Sequence, residues 1–147
     1  MIFSHGLDDK VRDRTKTQTR RLRDRSRHLT QTRDGEIIAV LARTTKRPRK
    51  LWVVGRTYAI QSGRSVKGNG RFRILKIRGE RLQDISYEDI LAEGIRLKEA
   101  DLLKRAKEDI ARWGFMRLWK SIHKKAGTRW DDNPENWVLE IEPANGR

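Results

Sequence analysis

Short apolar or alternating segments recur along the chain, and this pattern predicts β-strands. They occupy residues 36–42 (EIIAVLA), 51–54 (LWVV), 57–61 (TYAIQ), 72–77 (FRILKI) and 137–142 (WVLEIE). Side chains two apart in a strand share a face, so alternation indicates a strand with one buried face and one solvated face. We therefore predict four or five strands that form a small sheet.

Other segments repeat apolar residues three and four apart, as amphipathic helices do. In ISYEDILAEG, Ser86 precedes Asp89 by three residues in a capping-box pattern and Gly94 can end the helix, which predicts a helix over 86–92. Residues 99–110 and 113–124 also predict helix. Their apolar positions are Leu102, Leu103, Ala106 and Ile110 in the former, and Phe115, Leu118, Trp119 and Ile122 in the latter. Residues 1–12 fit a short helix or a simple lead-in.

Three polar stretches separate these elements. Residues 13–35 are basic and end in the turn-like RDGE, residues 43–50 (RTTKRPRK) fit an exposed loop, and residues 62–71 (SGRSVKGNGR) fit a mobile hairpin or an anion-binding loop. The order of elements predicts an α+β fold with a small curved sheet or barrel.

Composition adds a strong charge bias. The 147 residues include 35 Lys and Arg against 20 Asp and Glu, a formal net charge of +15, which favours a polyanionic partner such as nucleic acid. The length suits one domain. The chain has no cysteine, no apolar run of membrane-spanning length and no apolar core of a secretory signal at its start, so we expect a soluble, cytoplasmic protein.

The chemistry-bearing residues give weak signals when they are taken singly. His5, His28 and His123 are scattered and predict no metal site. Trp119 and Trp137 fall on predicted core faces, whereas Trp130 lies in a turn and could form a pocket wall. A lysine can act as base for a hydroxyl nucleophile, but Lys16 and Thr19 would point to opposite faces of a flat strand, so they need a turn or bulge to cooperate. On the residues alone, both also fit a solvated charge run.

At two motifs, KTQTRR and AEG, the chain resembles the ASCH superfamily, which consists of small β-barrel proteins related to PUA RNA-binding domains. Within that superfamily it is similar to the bacterial N4-acetylcytidine amidohydrolases. Lys16, Thr17, Thr19 and Arg21 match the Lys-Thr-x-Thr-x-Arg signature, and Glu93 matches the glutamate that ends a downstream helix. The resemblance spans residues 10–142. It implies an α+β domain over 1–147, a PUA-like barrel of about five to six strands flanked by helices, with a basic insertion at about 24–50 and a helical one at about 99–123.

The resemblance implies an amidohydrolase that removes the acetyl group from N4-acetylcytidine or a related N4-acylated cytosine nucleoside, giving cytidine and acetate without a cofactor or metal. Thr19 would attack the acetyl carbonyl or activate a water, and Lys16 would accept the proton. Glu93 would orient Lys16 or protonate the leaving amine; whether lysine or threonine is the nucleophile stays open. Residues expected to contact substrate are Arg21, Thr17, Tyr58 and Trp130. The family usually has glycine where this chain has Arg14, which questions the local turn.

Two other interpretations remain. The chain could be a single-stranded RNA-binding protein or a metal-independent ribonuclease of the same superfamily, or a reader of modified bases without enzymatic activity. The cations expected to contact phosphate are Arg20, Arg23, Arg25, Arg64, Lys67 and Arg71. We expect a monomer that binds a modified cytidine nucleoside or single-stranded RNA and does not associate with membranes.

Overall fold

The computed structural model describes residues 1–144 and contains a seven-stranded sheet with four helices in that range. The strands are β1 (Gln18–Leu22), β2 (His28–Arg33), β3 (Glu36–Ala42), β4 (Arg49–Val53), β5 (Thr57–Ala59), β6 (Arg71–Arg81) and β7 (Glu135–Ala144). The helices are α1 (Leu7–Arg12), α2 (Tyr87–Ala92), α3 (Glu99–Leu102) and α4 (Lys107–Ile122), with single 3-10 turns at Leu82–Asp84 and Trp130–Asp132. The predicted α+β class is confirmed.

The sheet is antiparallel and runs in the order β1-β7-β6-β3-β2, with β4 paired to β3 and β5 to β6. The long pair β6–β7 forms its centre and carries a bulge between Ile74 and Lys76. Over residues 1–144 no ladder joins β1 to β2, so the sheet curves without closing. The strand number is seven instead of the five to six expected.

The two additional strands, β1 and β2, come from the basic stretch that the hydrophobic pattern left unassigned. Arginine and threonine dominate both, so neither shows the apolar alternation of a half-buried strand. Pairing with the buried strand β7 fixes β1, and β2 forms a hairpin with β3 across a turn at Asp34 and Gly35, both with positive φ. Residues 24–50 are thus largely part of the sheet.

Two apolar clusters hold the structure together. The first lies between the sheet and α1 and includes Phe3, Val11, Phe72 and Trp137. The second packs α2, α4 and the turn at 130–132 around Phe115. Residues of both clusters, Phe3 from the first and Phe115 from the second, border one cavity beside β1.

The helix predicted over 99–110 is interrupted. α3 ends at Leu102 and α4 begins only at Lys107. Leu103, expected on a buried face, is 91% exposed. The apolar spacing was correct for a helix, but Leu102 and Leu103 are exposed, and a short helix without a buried face is marginally stable in water. Among residues 1–144, no helix combines the length and apolarity needed to cross a membrane.

Candidate functional site

The chain reaches the site through a left-handed turn at Arg14, where φ is 68°. This conformation favours glycine, yet Arg14 adopts it. The turn lets the Lys16 backbone N–H donate to the Lys10 carbonyl at 2.9 Å and the Thr17 N–H donate to the Ala92 carbonyl at 2.8 Å. Lys16 therefore lies between α1 and α2, before β1 begins, and it is not constrained by the alternation of the strand.

Within β1 the side chains alternate between two environments. Thr19 and Arg21 lie two apart on the strand and both line a cavity of about 290 Å³, which we call the first cavity. Gln18 bonds Asp89 on α2. Because Lys16 precedes the strand, it lines the first cavity together with Thr19. The turn required for Lys16 and Thr19 to face one space is thus present.

Glu93 enters the same cavity from the C-terminal cap of α2. Ser86 caps the other end, because its hydroxyl accepts the Asp89 backbone N–H at 3.1 Å. Gly94 follows with φ 98°, and a β-carbon there would lie 3.3 Å from Cβ of Lys16. Glycine at this position therefore permits both the turn and the close approach of Lys16 to the helix end.

Lys16 and Glu93 form a buried ion pair. Lys16 Nζ donates to the Glu93 carboxylate and, at 3.0 Å, to the Glu93 backbone carbonyl. Arg20 Nη1 donates to the other carboxylate oxygen, Oε1, at 3.0 Å. The exposed fractions of Lys16, Arg20 and Glu93 are 3%, 5% and 5%. Glu93 is thus held by two cations on two different oxygens.

Behind this pair lies a further set of ion pairs, half-buried at Arg78, Glu80 and Asp89, which together with Lys16 and Glu93 we call the buried polar network. Arg20 Nη2 donates to Glu80 at 2.7 Å, and Arg78 donates to both Glu80 and Asp89 at 2.5 Å. The network joins three cations to three carboxylates, so its formal charge is balanced. Its members are Lys16, Arg20, Arg78, Glu80, Asp89 and Glu93.

Burial lowers the pKa of two cavity cations. It lowers the pKa of Lys16 below its ordinary value; the Glu93 carboxylate opposes this effect, and Arg21 and Arg20 add to it. Burial also lowers the pKa of Arg21 to about 10, against a smaller opposing effect of Glu93. Arg21 donates to the Ile2 carbonyl at 2.8 Å, and its buried Nε has no hydrogen-bond partner within the described residues.

The opposite wall of the first cavity is apolar and comes from α4, through Phe115, Leu118, Trp119 and Ile122. His123 follows the helix and stacks on Trp119 with ring centroids 3.9 Å apart. Burial, and secondarily the charge of Arg21, lower the pKa of His123. In residues 1–144, the Thr19 hydroxyl forms no hydrogen bond with protein, so it is free to meet a ligand. The cavity therefore combines an aromatic wall with a buried ion pair and a free hydroxyl.

Three of the residues expected to contact substrate lie elsewhere. Thr17 is exposed and borders a groove that the first cavity does not include. Tyr58 stacks on Phe72 in the core and its hydroxyl accepts the Val53 N–H at 2.7 Å. Trp130 packs edge-on against Phe115 and lines a separate cavity. None of the three side chains lines the first cavity, because core packing holds Tyr58 and Trp130 elsewhere and Thr17 borders the groove.

The cations predicted to contact phosphate differ in their exposure and in their partners. Arg20 is buried in the polar network, where its guanidinium donates to Gln18, Glu80 and Glu93. Arg23 lies over the Trp137 ring at 4.2 Å, and Arg25 pairs with Glu135 at 2.8 Å. The exposed ones in the glycine-rich loop and beside it are Arg64, Lys67 and Arg71, the last bonded to Thr57. These loop residues lie outside the lining of the first cavity.

Sequence reasoning missed the network partners of Arg20 and the contribution of His123. Glu80 and Asp89 are 60 and 69 positions from Arg20, and no local spacing links them. His123 had a visible signal, since it stands four residues after Trp119 and so on the same face of a helix. Among residues 1–144, no cluster of three or more His, Asp or Glu side chains is arranged to hold a metal ion.

Comparison with known proteins gives a likeness in structure. No family model matches the sequence, and no curated protein matches it. A crystal structure of a protein from Enterococcus faecalis V583, described under the family model DUF984, aligns with a TM-score of 0.54 and 15% identity, covering 96% of this chain and 71% of that one. The fold is ASCH-like.

An ASCH domain from Lactobacillus crispatus JV V101 aligns with a TM-score of 0.48 and 12% identity, covering 92% of this chain and 69% of that domain. The ASCH-like fold expected from KTQTRR and AEG is confirmed by the Enterococcus structure. At these identities the likeness concerns the fold alone.

Proposed function

We propose that the protein is an amidohydrolase that removes the acetyl group from an N4-acetylated cytosine nucleoside. The observation that carries this proposal is the first cavity, where the Lys16–Glu93 pair lies beside the unbonded hydroxyl of Thr19. A nucleophile, a proton acceptor and an orienting carboxylate are the groups that amide hydrolysis requires. An ASCH-like fold is compatible with RNA binding or a related function, and nucleoside chemistry is such a function.

The proposed reaction uses Lys16 as the proton carrier. As Thr19 Oγ1 attacks the acetyl carbon, its proton passes to the neutral amine of Lys16, and the charge on the carbonyl oxygen is stabilised by the Arg21 guanidinium. Lys16 returns the proton to N4 of cytosine as the C–N bond breaks, which leaves acetyl on Thr19. Water then attacks this ester by the same proton route, and acetate leaves. The sum is one amide and one water giving cytidine and acetate.

Burial supports this role for Lys16, because it lowers the pKa of Lys16 and so raises the fraction of neutral amine. Glu93 favours the ammonium that forms after proton transfer, and Arg20 keeps the carboxylate in place. The aromatic wall contributed by Phe115 and Trp119 suits a planar base. A volume of about 290 Å³ fits a small ligand of nucleoside size.

The experiment measures cytidine and acetate released from N4-acetylcytidine by the parent and by near-isosteric variants. Thr19→Val removes only the hydroxyl, and Lys16→Met removes the amine while Arg20 still holds Glu93. We expect each to lower kcat at least about a hundredfold. The matched control is Thr30→Val, an exposed threonine on β2, which should keep parental kcat.

Circular dichroism on every variant separates loss of fold from loss of chemistry. If folded Thr19→Val and Lys16→Met release acetate as fast as the parent, the mechanism is wrong. If the parent releases none, the proposed activity itself is wrong.

A second candidate function is single-stranded RNA binding, with or without cleavage. It is favoured by the segment 43–50, which comprises the loop before β4 and the first two residues of that strand. Its five exposed cations form no ion pair within the described residues; they are Arg43, Lys46, Arg47, Arg49 and Lys50. Each phosphate contact to a single strand contributes about −0.7 to the slope of log affinity against log salt. The experiment measures the affinity for single-stranded RNA at a series of salt concentrations. A slope steeper than about −2 supports this function if it becomes flatter when Arg43, Lys46 and Arg47 are neutralised. A flat slope in the parent opposes it.

A further inference from the structure

A second cavity, of about 280 Å³, shares a wall with the first. The shared residue is His123, which lines both cavities and is held by its stacking on Trp119. The other lining residues of the second cavity are Lys120, Lys124, Arg129, Trp130 and Asp131. The two cavities therefore adjoin at His123, and a ligand that occupies both has to pass this residue.

The second cavity is positively charged. Lys120, Lys124 and Arg129 line it against the single carboxylate of Asp131. The C-terminal end of α4 adds roughly half a negative charge, which leaves the cations in excess. In the part of the chain from 1 to 144, none of these three cations lies within 4.0 Å of a carboxylate oxygen. Their charge is therefore available to a ligand.

Arg129 is positioned without being neutralised. Its backbone N–H donates to Asp132 Oδ2 at 3.1 Å, and its Nε donates to the Lys124 carbonyl at 3.1 Å. Within the described residues its two terminal nitrogens make no hydrogen bond. A guanidinium fixed in this way offers two parallel N–H groups, the geometry that binds a phosphate in bidentate fashion.

We propose that the second cavity binds a phosphate group of the substrate, so that the protein acts on a phosphorylated cytidine, a nucleotide or a nucleotide within a strand, in preference to the free nucleoside. The proposal rests on the proposed function for the identity of the base. A neutral nucleoside would leave three cations unpaired beside the base site. A phosphate monoester attached to the same sugar would bring about two negative charges to them.

The experiment measures binding by isothermal titration calorimetry, so it does not depend on turnover. The probes are cytidine, cytidine 5′-monophosphate and cytidine 3′-monophosphate, applied to the parent and to Lys120→Gln/Lys124→Gln. The control is Lys76→Gln/Lys98→Gln, which removes the same charge from two exposed lysines outside both cavities.

We expect at least one monophosphate to bind more tightly than cytidine, and this advantage to fall roughly tenfold in Lys120→Gln/Lys124→Gln. The control should retain it. A short cytidine-containing RNA separates the two sources of phosphate: tighter binding than the monophosphate assigns the cavity to a strand, and equal binding assigns it to a nucleotide. Equal affinity for cytidine and both monophosphates, no measurable binding, or an equal loss in the control overturns the proposal.

The two proposals can fail separately. Acetate release from N4-acetylcytidine with no gain from a phosphate leaves the activity standing and removes the phosphate site. Phosphate-dependent binding that needs Lys120 and Lys124, without acetate release from any acetylated probe, leaves the phosphate site standing and removes the activity.

Discussion

Lys16 combines burial and ion pairing in one side chain, and the two oppose each other. Burial lowers its pKa and Glu93 raises it, with burial the larger effect. A base for amide hydrolysis needs a neutral fraction near working pH, whereas a purely structural ammonium would need the opposite balance. The net direction of the pKa is thus a property that an experiment on stability can measure without a substrate.

The first prediction concerns the pH dependence of stability. Because the pKa of Lys16 is lower folded than unfolded, the unfolded chain binds more protons between the two values, and the free energy of unfolding rises with pH in that window. Lys16→Met lacks this contribution, whereas Arg21 contributes equally to both proteins. We expect the parent to gain stability relative to Lys16→Met as pH rises from neutral towards about 10.4, the ordinary lysine value.

Urea unfolding of both proteins at a series of pH values measures this difference. A difference that stays constant, or that shrinks as pH rises, would mean that Glu93 dominates and that Lys16 stays charged throughout.

The second prediction concerns Arg14. A non-glycine residue in the left-handed region carries a conformational cost of about 1–2 kcal/mol, part of which glycine returns through its freer unfolded chain. We expect Arg14→Gly to stabilise the fold by about 0.5–1 kcal/mol, and Arg14→Ala to give no such gain. Chemical denaturation of the two variants tests the strain directly; equal stability would show that φ 68° at this position costs nothing.

The sequence motifs identified Lys16, Thr19 and Glu93 as site residues, but they did not identify the residues that hold these side chains in place. All three line one cavity, while Arg20, expected on the surface, is buried with Glu80, Asp89 and Glu93. A local charge run gives no information about partners sixty or more positions away. If β1 paired with β7 one residue out of register, the same arginine would point to solvent. The observed pairing with β7 therefore determines that its side chain is buried.

At the scale of the element, α2 links local sequence signals to the site. Ser86 caps its first turn and Glu93 is its C-terminal cap, so the end of one short helix sets where the carboxylate meets Lys16. Both signals are local, and the helix was predicted to within a residue. The segments that form α3 and α4 have an equally regular apolar pattern. The helix nevertheless breaks at residues 103–106, because helix formation there depends on tertiary packing, which a local sequence pattern does not predict.

The third prediction tests this link. Ser86→Ala removes the hydroxyl that accepts the Asp89 N–H, and such a loss costs about 1 kcal/mol, whereas Ser86→Gly costs only a few tenths. We expect the same order here in denaturant midpoints. If the end of α2 positions Glu93, Ser86→Ala should also lower activity at temperatures where the protein remains folded. A control is Ser121→Ala, an exposed serine on α4.

At the scale of the whole molecule, the charge of +15 resides outside the buried polar network. That network balances three cations with three carboxylates, so the excess lies on other residues, notably the segment 43–50 and the second cavity. The separation has a physical consequence. Ion pairs in the interior are poorly screened by salt, whereas repulsion among exposed cations is screened over distances longer than the Debye length.

The fourth prediction follows from this separation. The Debye length falls from about 30 Å at 0.01 M salt to about 8 Å at 0.15 M, so added NaCl should weaken surface repulsion and leave the buried network intact. We expect Tm to rise by a few degrees, equivalent to about 1 kcal/mol. Arg43→Gln/Lys46→Gln/Arg47→Gln should start with a higher Tm in low salt and respond less. A Tm that falls with NaCl would instead mean that exposed ion pairs such as Arg25–Glu135 contribute more stability than the excess charge removes.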